Sequence, residues 1–201
     1  MMKKIISVLL MVSLLMTSCC VCASANTGDV WNDNYIYKAN GYVNVRSGPS
    51  TNHQIIGALV RNMIIPGQLP TNGWVPVYYK GNLGYVYATY LTQTAKPLSE
   101  CTQTIYQSYC RITGYDLCMR CCGKAPGSYG YGITASGTYA QAKRTVGMKG
   151  HPYGTRIYIE GLGYYIVEDT GYIGYNHVDV YCNNHTECYG VNGYRNVYIV
   201  K

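Results

Sequence analysis

Two aspartates in the C-terminal half, Asp169 and Asp179, are the residues best placed to move a proton. Carboxylates are scarce there: Glu100 at the edge, then Asp116, Glu160, Glu168, Asp169, Asp179 and Glu187. Asp169 sits in Glu168-Asp169-Thr170-Gly171, where a strand runs out into a glycine loop. Asp179 lies within Val178-Asp179-Val180-Tyr181. Side chains alternate along a strand, so Asp179 faces away from the two valines. Such an aspartate is either solvated on an outer face or held in a cleft. In a cleft its carboxyl keeps its proton to higher pH, which suits a general acid.

Other reactive residue types form weaker patterns. Beyond the leader described below, the cysteines are Cys101, Cys110, Cys118, Cys121, Cys122, Cys182 and Cys188, all in the second half. Their number is odd, so at least one is free or pairs between chains. Disulfides are the expected state, because the chain is exported. Cys118-Met119-Arg120-Cys121 is a C-x-x-C that zinc or redox chemistry can use. Zinc would need further ligands, from Cys182 with Cys188 or from His185. The spacing matches no common zinc module, and no metal or cofactor is expected. His53, His151, His177 and His185 are scattered, without an H-x-x-x-H spacing. His177 shares a strand face with Asp179 but reads as a solvated loop residue. Serines and cysteines lack a nucleophile motif such as G-x-S-x-G. Tyr129, Tyr131 and Tyr172 can stack on sugar rings or pack in turns.

These residues need elements to hold them, and the composition says which kind. The 201 residues include 23 Gly and 24 Tyr but no Phe, which favours turn-rich β structure over helical bundles. Only 12% of residues are charged, and no second long apolar run follows the first, which excludes a coiled coil and a multi-span membrane protein. Net charge is +7, but no Lys/Arg run exceeds two residues. That balance suits an acidic polymer such as a bacterial wall and gives no nucleic-acid signature.

Residues 1–25 read as a signal peptide. Lys3-Lys4 precedes an apolar stretch from Ile5 to Met16, and Ala23-Ser24-Ala25 forms an A-x-A cleavage site. A rival reading is a lipoprotein box, Met16-Thr17-Ser18-Cys19, with anchoring at Cys19. Either route exports the protein, to be secreted or wall-associated.

The remainder divides at the polar stretch Thr94-Ala95-Lys96-Pro97-Leu98-Ser99. Residues 38–93 read as short strands at Tyr42–Val45, Ile55–Val60, Met63–Pro66, Trp74–Tyr79 and Gly84–Tyr87. Residues 101–201 contain further strands at Thr155–Ile159, Tyr164–Val167, Val178–Tyr181 and Asn196–Val200. The halves are expected to fold separately. Trp74 and Tyr85 read as core residues more than as ligand platforms, and Arg46 as a turn stabiliser.

Particular residues then carry resemblances. Asn44-Val45-Arg46-Ser47-Gly48-Pro49-Ser50, Ile56-Gly57, Gly73-Trp74-Val75-Pro76-Val77 and Gly84-Tyr85-Val86 resemble a bacterial SH3 (SH3b) domain. Cys121-Cys122-Gly123-Lys124, Gly132-Ile133-Thr134-Ala135-Ser136-Gly137-Thr138, Arg144-Thr145-Val146, Pro152-Tyr153-Gly154-Thr155, Glu168-Asp169-Thr170-Gly171 and Val178-Asp179-Val180-Tyr181 resemble a 3D domain, whose name refers to three aspartates. The implied fold is all-β, a small SH3-like barrel plus a double-psi β-barrel. That barrel is similar to the catalytic domain of membrane-bound lytic transglycosylase A and to wall-lytic factors of spore-forming bacteria. The SH3b resemblance implies binding to peptidoglycan, its glycan strands or peptides, with no chemistry of its own.

By this resemblance Asp179 is the catalytic acid/base, and Asp169, also catalytic, either orients substrate or raises the proton affinity of Asp179 through like charge. Thr170, Thr134 and Ser136 are the expected hydrogen-bonding partners of the sugar hydroxyls. The implied reaction is cleavage of the β-1,4 bond between N-acetylmuramic acid and N-acetylglucosamine by a monomeric lytic transglycosylase. One departure stands out: the first family aspartate falls at Gly147. The loop from Asp169 to Asp179 is also one residue short. A non-catalytic wall-binding protein with a degenerate barrel is therefore the alternative.

Overall fold

The computed structural model describes residues 29–201. The expected leader, with Cys19, lies outside the described residues. The described residues form thirteen strands, two short α-helices and two single-turn 3-10 helices. The strands are β1 (Tyr35–Ala39), β2 (Val43–Arg46), β3 (Ile55–Leu59), β4 (Ile64–Gly67), β5 (Trp74–Tyr79), β6 (Asn82–Tyr87), β7 (Leu91–Ala95), β8 (Thr104–Tyr115), β9 (Thr145–Met148), β10 (Arg156–Ile159), β11 (Gly163–Asp169), β12 (His177–Tyr181) and β13 (Gly193–Val200). Helix α1 is Met119–Cys122 and α2 is His185–Val191. Among the described residues, no helix is long and apolar enough to cross a membrane.

The first seven strands form one antiparallel sheet in the order β3-β2-β6-β5-β4-β1-β7. It is the SH3-like unit, folded around Tyr37, Val45, Leu59, Val75, Val77 and Val86. Alternation along β5 explains the choice: Val75 and Val77 are buried while Trp74, Pro76 and Tyr78 are half-exposed. Arg46 donates from Nη1 to the carbonyls of Thr51 (2.8 Å) and His53 (2.9 Å), which stabilises that turn as the sequence implied.

The last six strands close into a barrel, β10-β11-β9-β12-β8-β13, completed by β13 pairing with β10. Two of its pairs are parallel, β11 with β9 and β12 with β8, and the rest are antiparallel. This is the double-psi barrel the sequence implied. Its core holds Ile112, Val146, Met148, Ile157, Val167, Val178, Val180 and Val197. The 12-residue β8 is not marked in the sequence, because its exposed Tyr106 and Tyr109 blur the period-two pattern.

The two halves meet over a third buried cluster: Ile36, Ile64 and Ala95 from the first, Ile166 from the second. Arg156, 1% exposed, crosses this junction. It donates to the carbonyls of Lys96 (2.8 Å), Asn34 (3.0 Å) and Trp31, and to Oδ1 of Asn32 (3.0 Å). Arg144 lies 4.3 Å from the centroid of the Trp31 ring. Gly154, at φ +90°, backs onto Thr94 and Ile36 so closely that a Cβ would collide with the Thr94 hydroxyl. The stretch at 94–99 is thus pinned through Lys96.

Contrary to the expected disulfides, the seven cysteines among the described residues are all free thiols. Cys110, Cys182 and Cys188 are packed in the barrel core, where a free cysteine behaves as a small hydrophobe. The Sγ of Cys101 and Cys122 donate to the carbonyls of Pro97 (3.2 Å) and Lys124 (3.5 Å). Cys118 and Cys121 face His185 and Asp116.

Candidate active site

Strand β9 runs between β11 and β12, and its Gly147 is the register partner of both Asp169 and Asp179. The two aspartates therefore flank one glycine on neighbouring strands. They line a single cleft of about 410 Å³, bordered also by Tyr115, Thr134, Thr170, Tyr172 and Ile173. That volume falls within the range of about 300–1,000 Å³ usual for small-ligand sites.

Alternation decides how Asp179 is presented. Val178 and Val180 are buried in the barrel core, so Asp179 points to the other side, half-buried. Of the two placements open to it, the cleft is the one found. Its Oδ1 accepts a hydrogen bond from the Thr113 hydroxyl at 2.6 Å. Thr113 Oγ1 also lies 2.8 Å from Nε2 of His177. A hydroxyl that donates to Asp179 accepts from His177, so His177 carries its proton on Nε2. His177 is then a half-buried member of β12 and not the solvated loop residue expected. Burial pushes the Asp179 carboxyl above the usual carboxylate range; the Thr113 bond and His177 oppose this, and Asp169 adds to it. Burial also pushes His177 down, so it stays neutral to lower pH.

Asp169 is held quite differently. Its Oδ1 accepts from the backbone N–H of Ala135 (3.0 Å) and of Thr170 (2.9 Å), and its Oδ2 from the Tyr115 hydroxyl (2.9 Å). Both oxygens are fixed as acceptors. Burial, reinforced by Asp169, pushes the Tyr115 phenol far up, so it remains a donor at every physiological pH.

The other expected site residues divide. Thr170 is exposed at the cleft, and its main chain steadies Asp169. Thr134 lines the cleft, but its hydroxyl meets those of Ser136 (3.0 Å) and Thr138 (2.9 Å). Ser136 is 1% exposed, and its hydroxyl bonds to those of Thr134 and Thr138 within this network. The 134–138 turn therefore supports the site from behind, presenting the Ala135 amide to Asp169. Tyr172 stands fully exposed at the rim.

Sequence reasoning missed Glu168. It is wholly buried and accepts from Arg144 Nε (3.0 Å), Thr138 Oγ1 (3.0 Å) and Thr145 Oγ1. Burial pushes its carboxyl up, while Arg144 and the hydroxyls pull against that. The available signal was alternation: a carboxylate next to a cleft-facing Asp169 must point inward, and a buried carboxylate needs a cation. Glu168 fastens the strand that presents Asp169.

A second recess lies in the SH3-like half, bordered by Tyr42, Arg46, Trp74, Tyr87 and Tyr90. Trp74 and Tyr87 pack edge to face, 5.3 Å between centroids. Trp74 and Tyr85 are half-exposed and outside the core, contrary to the expectation. They flank Val75 and Val86, and alternation gives the valines the interior.

Residues 41–92 match the family described as bacterial SH3 domain, and residues 146–201 match the 3D domain. The chain carries a bacterial SH3 domain followed by a 3D domain. The second match contains Gly147, Asp169 and Asp179, while β8, Thr134 and Ser136 precede it. No curated protein matches the chain. The pairing of these domains points to a cell-wall-related protein. The 3D family is associated with enzymes that cleave cell-wall glycans.

Proposed function

We propose that this is an exported peptidoglycan lytic transglycosylase in which residues 101–201 cut the glycan and residues 38–93 hold the wall. The observation that carries this reading is the unequal pair of carboxyls in one cleft. Asp169 is fixed on both oxygens, whereas Asp179 keeps its proton to higher pH and has one protein donor among the described residues. Two carboxyls with divergent environments are the usual mark of divided roles.

Asp179 donates its proton to the oxygen joining N-acetylmuramic acid to N-acetylglucosamine, and the C1–O bond breaks. The muramyl C6 hydroxyl then closes onto C1, and the Asp179 carboxylate takes the hydroxyl proton. The products are a free 4-hydroxyl and a 1,6-anhydro sugar; no water is consumed, and Asp179 ends as it began. The nucleophile belongs to the substrate at high effective concentration, so one carboxyl serves both steps. Asp169 supplies fixed negative charge towards the cationic sugar ring in the transition state. The Tyr42, Trp74, Tyr87 and Tyr90 recess offers stacking faces for wall sugars or peptides.

Gly147 favours a second reading, a wall-binding protein without turnover, because it leaves no carboxylate between the two aspartates. Incubating the protein with peptidoglycan and searching the digest for 1,6-anhydro muropeptides separates the two. Their appearance with the wild type and not with Asp179→Asn supports the enzyme; their absence from both favours binding alone.

A further inference from the structure

A second cluster lies beside the cleft and takes no part in the reaction proposed above. Asp116 follows β8 directly, Cys118 and Cys121 bracket the first turn of α1, and His185 opens α2. One ligand atom from each lies within 4.8 Å of all the others. His185 Nδ1 is 3.8 Å from the Sγ of Cys118, 3.6 Å from the Sγ of Cys121 and 3.7 Å from Oδ2 of Asp116.

These separations can be set against a metal's demands. Zinc takes thiolates at about 2.3 Å and imidazole or carboxylate at about 2.0–2.1 Å, in a tetrahedron. The edges of that tetrahedron are about 3.6 Å for S···N and about 3.3 Å for N···O, from the same bond lengths. The sulfur–nitrogen separations already fit, and the remaining ones need a contraction of about 1.2 Å at most. Simple hydrogen bonding explains the cluster poorly. Thiols are weak donors, and a disulfide between Cys118 and Cys121 would leave Asp116 and His185 converging on nothing.

We propose that Asp116, Cys118, Cys121 and His185 form a structural zinc site. Two soft thiolates with an imidazole select zinc over calcium or magnesium, and four protein ligands make the site closed, without an open position for chemistry. Outer contacts already orient the ligands. Asp116 Oδ1 accepts from the Cys118 amide at 3.0 Å, which leaves Oδ2 for the metal. The Asn184 side chain caps α2 by accepting from the Glu187 amide at 3.0 Å, fixing where His185 begins. The metal ties the end of β8 to α2. Cys121 and Tyr115 both border the cleft, so the tie also braces the wall that carries the Tyr115 bond to Asp169. The proposal does not depend on what the cleft cleaves.

The test uses the full chain purified without chelator. Elemental analysis should find stoichiometric zinc. Exchange for Co²⁺ should give strong visible bands of a tetrahedral ion and thiolate charge-transfer bands in the near ultraviolet. Cys118→Ser and Cys121→Ser should each weaken the charge-transfer bands, while Cys101→Ser leaves them unchanged. His185→Ala should lose zinc, and His185→Cys, which restores a ligand, should regain it. Chelation should lower the melting temperature of the wild type, and zinc should restore it. Wild-type protein without zinc, weak octahedral cobalt bands, or a native Cys118–Cys121 disulfide on non-reducing peptide mapping would each overturn the proposal.

Discussion

Gly147 is the register partner of Asp179 across the antiparallel β9–β12 pair, and a Cβ on Gly147 would stand 3.8 Å from the Cβ of Asp179. That is ordinary van der Waals contact, and the backbone there does not lie in the left-handed region. The gap left by the missing aspartate is therefore open to a side chain. Gly147→Asp should fold and, if the missing carboxylate limits turnover, release anhydro muropeptides faster than the wild type. Equal or slower release from a folded variant would show that this position does not limit the reaction.

Asp179→Asn should abolish product without harming the fold. General acid–base catalysis contributes on the order of 10²–10⁴-fold, so the loss should be plain in a time course. The stability sign runs the other way. The folded state raises the Asp179 pKa, so its stabilising contribution is full below the unfolded carboxylate range and is lost as pH rises through the folded value. Asn is neutral at every pH and escapes that loss. At pH 7 the variant should melt no lower than the wild type by calorimetry.

The pH–rate profile should move in opposite directions for two neighbours of Asp179. Asp169→Asn removes a negative charge that raises the Asp179 pKa, so the alkaline limb should shift to lower pH. Thr113→Val removes the hydrogen bond that lowers it, so that limb should shift to higher pH. Shifts of the same sign in both variants would contradict Asp179 as the titrating acid.

Arg156→Ala should loosen the junction between the halves. It takes the donor away from the partly buried carbonyls of Trp31, Asn34 and Lys96. A buried acceptor left unsatisfied costs about 1–3 kcal/mol. Even one such loss should lower the melting temperature by about 2–4 °C per kcal/mol in a chain of this size. A fragment of residues 29–97 should melt below the intact chain, because Ile36, Ile64 and Ala95 lose Ile166.

Trp74→Ala should weaken co-sedimentation with insoluble peptidoglycan while sparing cleavage of soluble glycan fragments. Buried aromatic anchors commonly contribute 2 kcal/mol or more to an interface, roughly 30-fold in affinity. Unchanged sedimentation would remove the Trp74 recess from the wall-binding surface.

Much of this molecule is local in sequence. Turn residues and period-two runs marked β2 to β6 and β10 to β13, and the alternation around Val178-Asp179-Val180 settled that Asp179 and the valines point apart. The Glu168-Asp169-Thr170-Gly171 strand end was equally readable, because a strand and its turn are specified within a few residues. Residues far apart in sequence were brought together only by folding. The parallel and antiparallel registers of β9 place Gly147 between Asp169 and Asp179, and no local pattern encodes a register between distant strands. Ser136 read as a sugar contact until packing turned it inward, and Glu168 became a buried ion pair for the same reason. Arg156 meets Trp31 across 125 positions, and His185 meets Cys118 across 67. Alternation tells a residue which way to face; only the closed barrel, with one half packed on the other, determines what it faces.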